Sequence, residues 1–520
     1  MKRQQLVLFV FGILLAASLA CGFGGSSDEP AKAEKPAQAE ATLSQPTAMS
    51  VVAVPGHEHE LEVIPAKAEL PAGTGQLEAQ GVIVNTAEFQ PKAKQPEAPA
   101  PTATPLPQEL IVAGVYDYIN VNNQFEVVGT IYNGTGSPVT GVELALTATD
   151  AAGNSLVKDF FGNPVDTALF APMISTIQPG QSAPFEFTIY GEVQPDVYEV
   201  TISNYAQAEA AQPVNVAVEN GRMATLDNGI LYVVGELVNQ GDAPVQISKL
   251  ISAVMGADGR VISVGDSLED GFYLAPAGDP NGYDRIAFRN AVNFGGLETT
   301  AEAWTTFMDA AIVEPKTPYA LSLAEPTIYQ DKNGKTRLIG TVTNNSQENL
   351  EVHLIGVVYA AGGLVLDVDT LGLPLYVLGP GESLPYEFAW LDIINQTTAE
   401  VDKIDHIKVQ VDQVATTPSI YGVVPLQTSN DIHEVSEGWW DMEGEIVNNS
   451  DQNFYRNTVV IGLFDAQGKL VGTNFGYTYA DGKDNIEPQD VTAYSISVYT
   501  APEIDPATVT VKTYVQGNLR

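Results

Sequence analysis

The stretch "VVGTIYNGTG", residues 127–136, sets a glycine inside a run of strand-forming residues, with an asparagine four positions later. Glycine weakens a strand interior, because it loses more backbone freedom on folding and brings no side chain to pack. The phrase returns as "VVGELVNQGD" from 233, "LIGTVTNNSQ" from 338 and "MEGEIVNNSD" from 442. Gly129, Gly235, Gly340 and Gly444 lie 106, 105 and 104 residues apart, and Asn133, Asn239, Asn344 and Asn448 hold the same offset from them. Four matches at a near-constant period are the mark of tandem repeats. A glycine kept at one place in each copy points to a bulge, or to the close approach of another backbone or a large ring. The asparagine marks where the strand turns out of its sheet.

Other features keep that register. About 24 residues past each glycine comes a turn, in "TDAAGNSLV" with Gly153, "GADGRVI" with Gly259, "YAAGGLVL" with Gly363 and "FDAQGKLV" with Gly468. Alternating runs flank these turns, as in "VELALTATD" and "VVIGLFD", so each reads as a hairpin. A second turn and strand follow, in "IQPGQSAPFEFTIY", "LGPGESLPYEFAW" and "IEPQDVTAYSISVY"; the second repeat is looser there. Short strands every eight to twelve residues predict an all-β chain of antiparallel β-sandwiches, seven or eight strands to a repeat. The repeats span 108–208, 209–315, 316–418 and 419–520. One stretch, "GLETTAEAWTTFMDAAI" (296–312), admits a short helix instead of the closing strand.

The first residues point to export. "MKRQQ" is a short basic region, followed by the apolar run "LVLFVFGILLAASLA", too short for a stable transmembrane span. The sole cysteine, Cys21, comes directly after it and has no partner for an internal disulfide. Ser18, Leu19 and Ala20 ahead of Cys21 resemble the lipobox of bacterial lipoproteins. That resemblance implies cleavage of residues 1–20, a diacylated Cys21 as the first residue, and an extracytoplasmic, membrane-anchored protein at the cell surface or in the periplasm. Gly22 is not the aspartate of the common inner-membrane retention signal. Acyl chains bury about 0.8 kcal/mol per methylene, enough in combination to anchor the chain.

Residues 21–107 differ in composition, with "EPAKAEKPAQAEATLSQPTA" and "QPKAKQPEAPAPTATPLPQ" rich in Pro, Ala, Glu and Lys. Such a segment buries too little apolar area to offset its ordering entropy, so it is expected to be a disordered tether. As a random chain of about 86 residues it would span roughly 50 Å. Its one apolar patch, "QGVIVNTAEF" (80–89), is a docking candidate.

The G-x-x-x-N strand end, the strand closing as in "GLFDAQGKLV" and the turn "LGPGESLPYEF" together resemble the FxLYD-type domains of bacterial and archaeal surface proteins. The resemblance covers about residues 108–520 in four copies, the second most divergent. It implies immunoglobulin-like, non-enzymatic modules that engage a protein or another part of the cell envelope, with no active site to carry over.

Charge excludes one class of partner. The chain has 24 Lys+Arg against 64 Asp+Glu, a formal charge of −40 that repels nucleic acid and anionic lipid surfaces. No catalytic residues, cofactor or metal site are assigned: there is no G-x-S-x-G elbow, H-E-x-x-H or P-loop. His57 and His59 in "PGHEHELE" lack a third ligand of fixed geometry for zinc. Calcium is the more serious ion, with oxygen donors in "DVDTLG" from Asp367, "GDSLEDG" from Gly265 and "DGKDN" from Asp481. None of these fits the calcium-loop pattern or recurs among the repeats. Trp439 and Trp440 offer a sugar-stacking platform, but neighbours on a strand point to opposite faces. Asn133, Asn344 and Asn448 open N-x-[ST] triplets and read as turn residues. Two other readings stand beside the surface protein: a solute-binding lipoprotein of a transport system, and an accessory subunit of an extracytoplasmic enzyme.

Overall fold

The computed structural model describes residues 83–84 and 109–519, apart from 160–161, 192–193, 211, 268–270, 294, 296, 298, 317–319, 418–420, 423–425, 437, 479–484 and 506–507. The leader, Cys21, His57 and His59 lie outside the described residues. The regular secondary structure among the described residues is almost entirely antiparallel strand, gathered into eight sheets.

A two-residue strand, β1 (Ile83–Val84), comes first. The first repeat holds β2 (Leu110–Ile119), β3 (Phe125–Asn133), β4 (Val139–Thr149), β5 (Ala168–Phe170), β6 (Thr176–Ile177), β7 (Ser182–Ile189) and β8 (Val197–Gln207). Its front sheet runs β2-β3-β7, and its back sheet is built on β4, which pairs β5, β6 and β8. The second repeat holds β9 (Val216–Thr225), β10 (Leu231–Asn239), β11 (Val245–Met255), β12 (Val261–Asp266), β13 (Phe272–Leu274), β14 (Arg285–Asn293) and β15 (Ala303–Ile312). Its sheets run β14-β10-β9 and β1-β15-β11-β12, with β13 also on β11.

In the third repeat come β16 (Leu321–Leu323), β17 (Thr327–Gln330), β18 (Thr336–Asn344), β19 (Leu350–Ala360), β20 (Val365–Gly372), β21 (Ser383–Phe388), the short helices α1 (Asp392–Gln396) and α2 (Thr398–Val401), and β22 (Ile404–Thr416). The strand β18 pairs β16, β17 and β21, and the back sheet runs β20-β19-β22. The fourth repeat holds β23 (Tyr421–Gly422), β24 (Leu426–Ser436), β25 (Trp439–Asn448), β26 (Phe454–Phe464), β27 (Leu470–Tyr477), β28 (Asn485–Ile486), β29 (Val491–Tyr499) and β30 (Thr510–Leu519). Its sheets run β24-β25-β29 and β23-β30-β26-β27, with β28 also on β26.

The glycine strands β3, β10, β18 and β25 are therefore the central strands of the four front sheets. Gly129, Gly235, Gly340 and Gly444 sit directly opposite Phe185, Phe288, Tyr386 and Tyr494. In the first three repeats the ring lies across the bare backbone. A Cβ on Gly129 would stand 2.6 Å from Phe185 Cζ, one on Gly340 2.5 Å from Tyr386 Cζ, and one on Gly235 3.1 Å from Phe288 Cε1. The residue that looks like a flaw in the strand makes room for a buried aromatic, and each such ring contributes about 1.5–3 kcal/mol by leaving water. In repeats 1 and 2 the neighbouring strand also bulges opposite the glycine, around Gly114 and Asn220, both at positive φ.

Asn133, Asn239, Asn344 and Asn448 are buried and do more than turn the chain. The Asn133 Nδ2 donates to Ser137 O and to Ile177 O, both at 2.8 Å, while its Oδ1 accepts from Thr135 N and Oγ1. Asn239 bonds Ala243 O and Ala275 O, and Asn344 bonds Glu348 O and Leu378 O. Asn448 bonds Gln452 O, Ile486 O and Glu487 O. Each side chain thus fastens its own turn to a segment some 34 to 44 residues further on.

Residues 303–312 form strand β15, not a helix: ten residues pair with β11, and Trp304, Thr305, Thr306, Phe307 and Met308 are all buried. Cross-strand pairing decided the conformation where composition was ambiguous. The short helices occur instead in repeat 3, where α1 tucks Ile393 and Ile394 into the core. The hairpin glycines Gly153, Gly259, Gly363 and Gly468 have φ of 77° to 87°, which explains glycine at each.

Candidate functional site

Since front-sheet strands alternate, the residue before each key glycine faces outward. Those residues are Val128, Val234, Ile339 and Glu443. The first three have no exposed surface at all, because a strand of the next repeat covers them. The strand β12 packs on β2, β3 and β7; β20 packs on β9, β10 and β14; β27 packs on β18 and β21. The buried clusters cross these junctions. Val234 shares one cluster with Val365, Val368 and Ile393, and Ile339 shares another with Phe464 and Leu470.

The middle junction is the most highly charged. Directly beside Val234 stand Arg222 on β9 and Arg289 on β14. Arg222 donates to Val365 O and Leu366 O at 3.0 and 2.7 Å and pairs with Glu400 at 3.3 Å. Arg289 lies over the Tyr232 ring and donates to Trp390 O at 2.7 Å. It also faces Asp367, Asp369 and Asp392 at 3.4, 3.7 and 3.9 Å. Burial pushes the Asp367 carboxyl up to about 7, while Arg289 and the amides of Ile394 and Val368 pull it back down. Beneath this lies Glu236, which accepts from Tyr359 Oη at 2.9 Å, Asn220 Nδ2 at 2.8 Å and Arg285 at 3.3 Å.

The outer junctions are less charged. Between repeats 1 and 2, Tyr118 Oη meets Ser263 Oγ and Asn293 Nδ2, and Ser175 N donates to Asp309. Glu186, beside Val128, is pushed up to about 8, first by burial and then by the carboxylates of Glu126 and Asp266. Between repeats 3 and 4, Tyr329 donates to Tyr499 O at 2.8 Å, and Arg337 lies over the Tyr499 ring while pairing with Asp331 and Glu387. Gln516 bonds both N and O of Val377.

Candidates read from the sequence fall into this frame. Asp367 and Asp369, offered as calcium donors, are turned on a guanidinium that already supplies the positive charge. Asp266 is exposed, and residues 481–484 lie outside the described residues. Among the described residues no group of three or more His, Cys, Asp or Glu is arranged to hold a metal ion. Trp440 is core, donating to Thr500 Oγ1, while Trp439 stacks on Tyr499 with Lys332 Nζ 3.8 Å above its ring. That lysine occupies the face a sugar would need. His353 lies 3.7 Å from Glu351, and His406 stacks on Tyr359. A shallow groove of about 260 Å³ runs between Ile174–Ser182 and Phe307–Ala311.

Composition alone did not find the arginines. The usable signal was the outward position itself: apolar in three repeats, glutamate in the fourth. On the repeat 4 front sheet Asp441, Glu443 and Glu445 share one face of β25; Glu443 and Glu445 are exposed, and Asp441 accepts from Ser497 Oγ.

No protein-family model matches the sequence, and no curated protein matches it either. Among solved structures, Salmonella alpha-2-macroglobulin reacted with methylamine aligns at 10% identity over 78% of this chain, with a TM-score of 0.11. The chain spans 31% of that protein's length, and at that score the alignment supports no statement about fold or role.

Proposed function

We propose that the chain is a lipid-anchored extracytoplasmic protein that presents tandem β-sandwich repeats to a protein or envelope partner and performs no catalysis. The observation that carries the reading is the lone Cys21, directly after a basic-then-apolar leader and ahead of a Pro/Ala-rich segment. The resemblance to FxLYD-type surface modules supports the same reading. So does the use made of the recurring residues, which seat aromatic rings and fasten turns. A solute-binding lipoprotein calls for two α/β lobes, whereas the regular structure of the described residues is nearly all strand, with two helices of five and four residues.

The test is Cys21→Ala in the full chain. The protein should leave the membrane fraction and lose the mass of its acyl chains. Unchanged partitioning would refute the anchor. Capture from whole envelope with residues 108–520 then identifies the partner, and recovery of small-molecule substrate turnover instead would overturn the non-catalytic reading.

A further inference from the structure

The back sheets share a weakness. Among the described residues, the last strand of each repeat (β8, β15, β22 or β30) pairs on one side with the long central strand and turns its other side outward. An open edge offers unpaired N–H and C=O groups to any extended chain. In repeat 4 that edge is met by β23, with Tyr421 opposite Asn518 and Gly422 opposite Gly517. In repeat 2 it is met from much further away: Ile83 lies opposite Thr306 and Val84 opposite Thr305.

We propose that the outer edge of β15 is a strand-addition site, and that this chain closes it in cis with the segment around Ile83–Val84. Three observations support that occupant. The register is antiparallel and places β1 at the outer end of the order β1-β15-β11-β12. "QGVIVNTA" (80–87) carries three successive β-branched residues and no charge, in a region otherwise rich in Pro, Ala, Glu and Lys. The edge it meets, Trp304–Met308, is also uncharged, so a chain of net charge −40 lays a neutral strand on a neutral strand. Reach is no obstacle. The 25 residues between Val84 and Leu110 (110 − 84 − 1) extend to about 80 Å at about 3.3 Å each. Main-chain hydrogen bonds supply the affinity in this mode, and alternate side chains set the register.

The test pairs cysteines in the full chain on a Cys21→Ser background. Val84→Cys with Thr305→Cys, and Ile83→Cys with Thr306→Cys, are in register; Val84→Cys with Thr306→Cys is one residue out. At dilute protein and mild oxidation, an in-register pair should close within one molecule at least fivefold faster than the out-of-register pair. Equal rates would overturn the proposal. A disulfide formed only between molecules would overturn the cis assignment and make a second copy the occupant. Val84→Pro, which removes an amide from the added strand, provides a separate reading. Amides of β15 should exchange at least tenfold faster while those of β18 and β25 stay unchanged, and unchanged exchange in β15 would also refute the proposal.

Discussion

Repeats 1 to 3 and repeat 4 share an inner face and differ in the outer one. All four seat an aromatic opposite a glycine and fasten a turn with a buried asparagine. On the outer face, Val128, Val234 and Ile339 are buried under the following repeat, while Glu443 stands exposed between Asp441 and Glu445. Inward positions are thus set by what a sandwich needs, and outward ones by what lies next to it. Apolar contact alone does not explain the junctions, because repeat 2 sets two arginines beside its valine and repeat 1 a glutamate.

The comparison breaks most severely at the middle junction. Arg289→Met would leave Asp367 and Asp369 buried without their cation, at a cost of about 3–5 kcal/mol. Urea unfolding should then show repeats 1–2 separating from repeats 3–4, and a single unchanged transition would contradict the assigned role. Next come the turn fasteners. Asn344→Ala takes one of two donors from the carbonyls of Glu348 and Leu378, which keep Ser346 Oγ and Leu350 N, and removes the acceptor of Ser346 N, so it should cost about 2–4 kcal/mol. Asn448→Ala should cost the same, because the inner face of repeat 4 is built alike; a much smaller loss there would show that the repeats differ inside as well.

Glycine substitution is graded. Gly129→Ala and Gly340→Ala press a methyl into a buried ring and should each cost about 1–3 kcal/mol, with Gly235→Ala costing less because its ring stands further off. Thermal melting of the three variants checks the order.

The first junction should respond to pH. Glu186 has its carboxyl raised from 4.5 to about 8. The folded state therefore binds the extra proton, and stability from this group is full below about 4.5 and lost as pH rises toward about 8. Raising pH from 5 to 8 should loosen repeats 1 and 2 by about 1–2 kcal/mol, and Glu186→Gln should flatten that slope. The smallest effect belongs to the uncovered face. Glu443→Val should change stability by less than about 0.5 kcal/mol. It should nevertheless promote self-association by giving β25 the apolar outward residue of the other three glycine strands, a change that sedimentation would detect.

How much of this was legible in the sequence follows from the same division. The period of Gly129, Gly235, Gly340 and Gly444 was enough to predict strands, turns and a close approach at the glycine, because those needs are local and repeat; it left a bulge, a second backbone and a ring as alternatives, and the structure supplies the ring in the first three repeats. The asparagines read as turn residues, and their second bond, to Ile177 O or Leu378 O, was invisible because it spans a loop of variable length. The outward face carried a readable signal in Val128, Val234, Ile339 and Glu443. Its meaning depended on which strand of the next repeat came to lie there. Arg289 and Asp367 lie 78 residues apart and have no counterpart in the other repeats, so no pattern in the chain joined them.

The asparagine of repeat 1 has a chemical consequence of its own. Asn133 is followed by Gly134, the dipeptide most prone to lose ammonia through attack of the next backbone nitrogen on the side-chain carbonyl. In the folded chain both reactants are held: Gly134 N donates to Glu109 O at 3.0 Å, and Asn133 Nδ2 is committed to two carbonyls. The corresponding asparagines precede Gln240, Asn345 and Asn449, none of them glycine. Conversion of Asn133 to aspartate therefore accrues only while the first repeat is open. Its extent in aged protein is a record, readable by mass, of how long that repeat has spent unfolded.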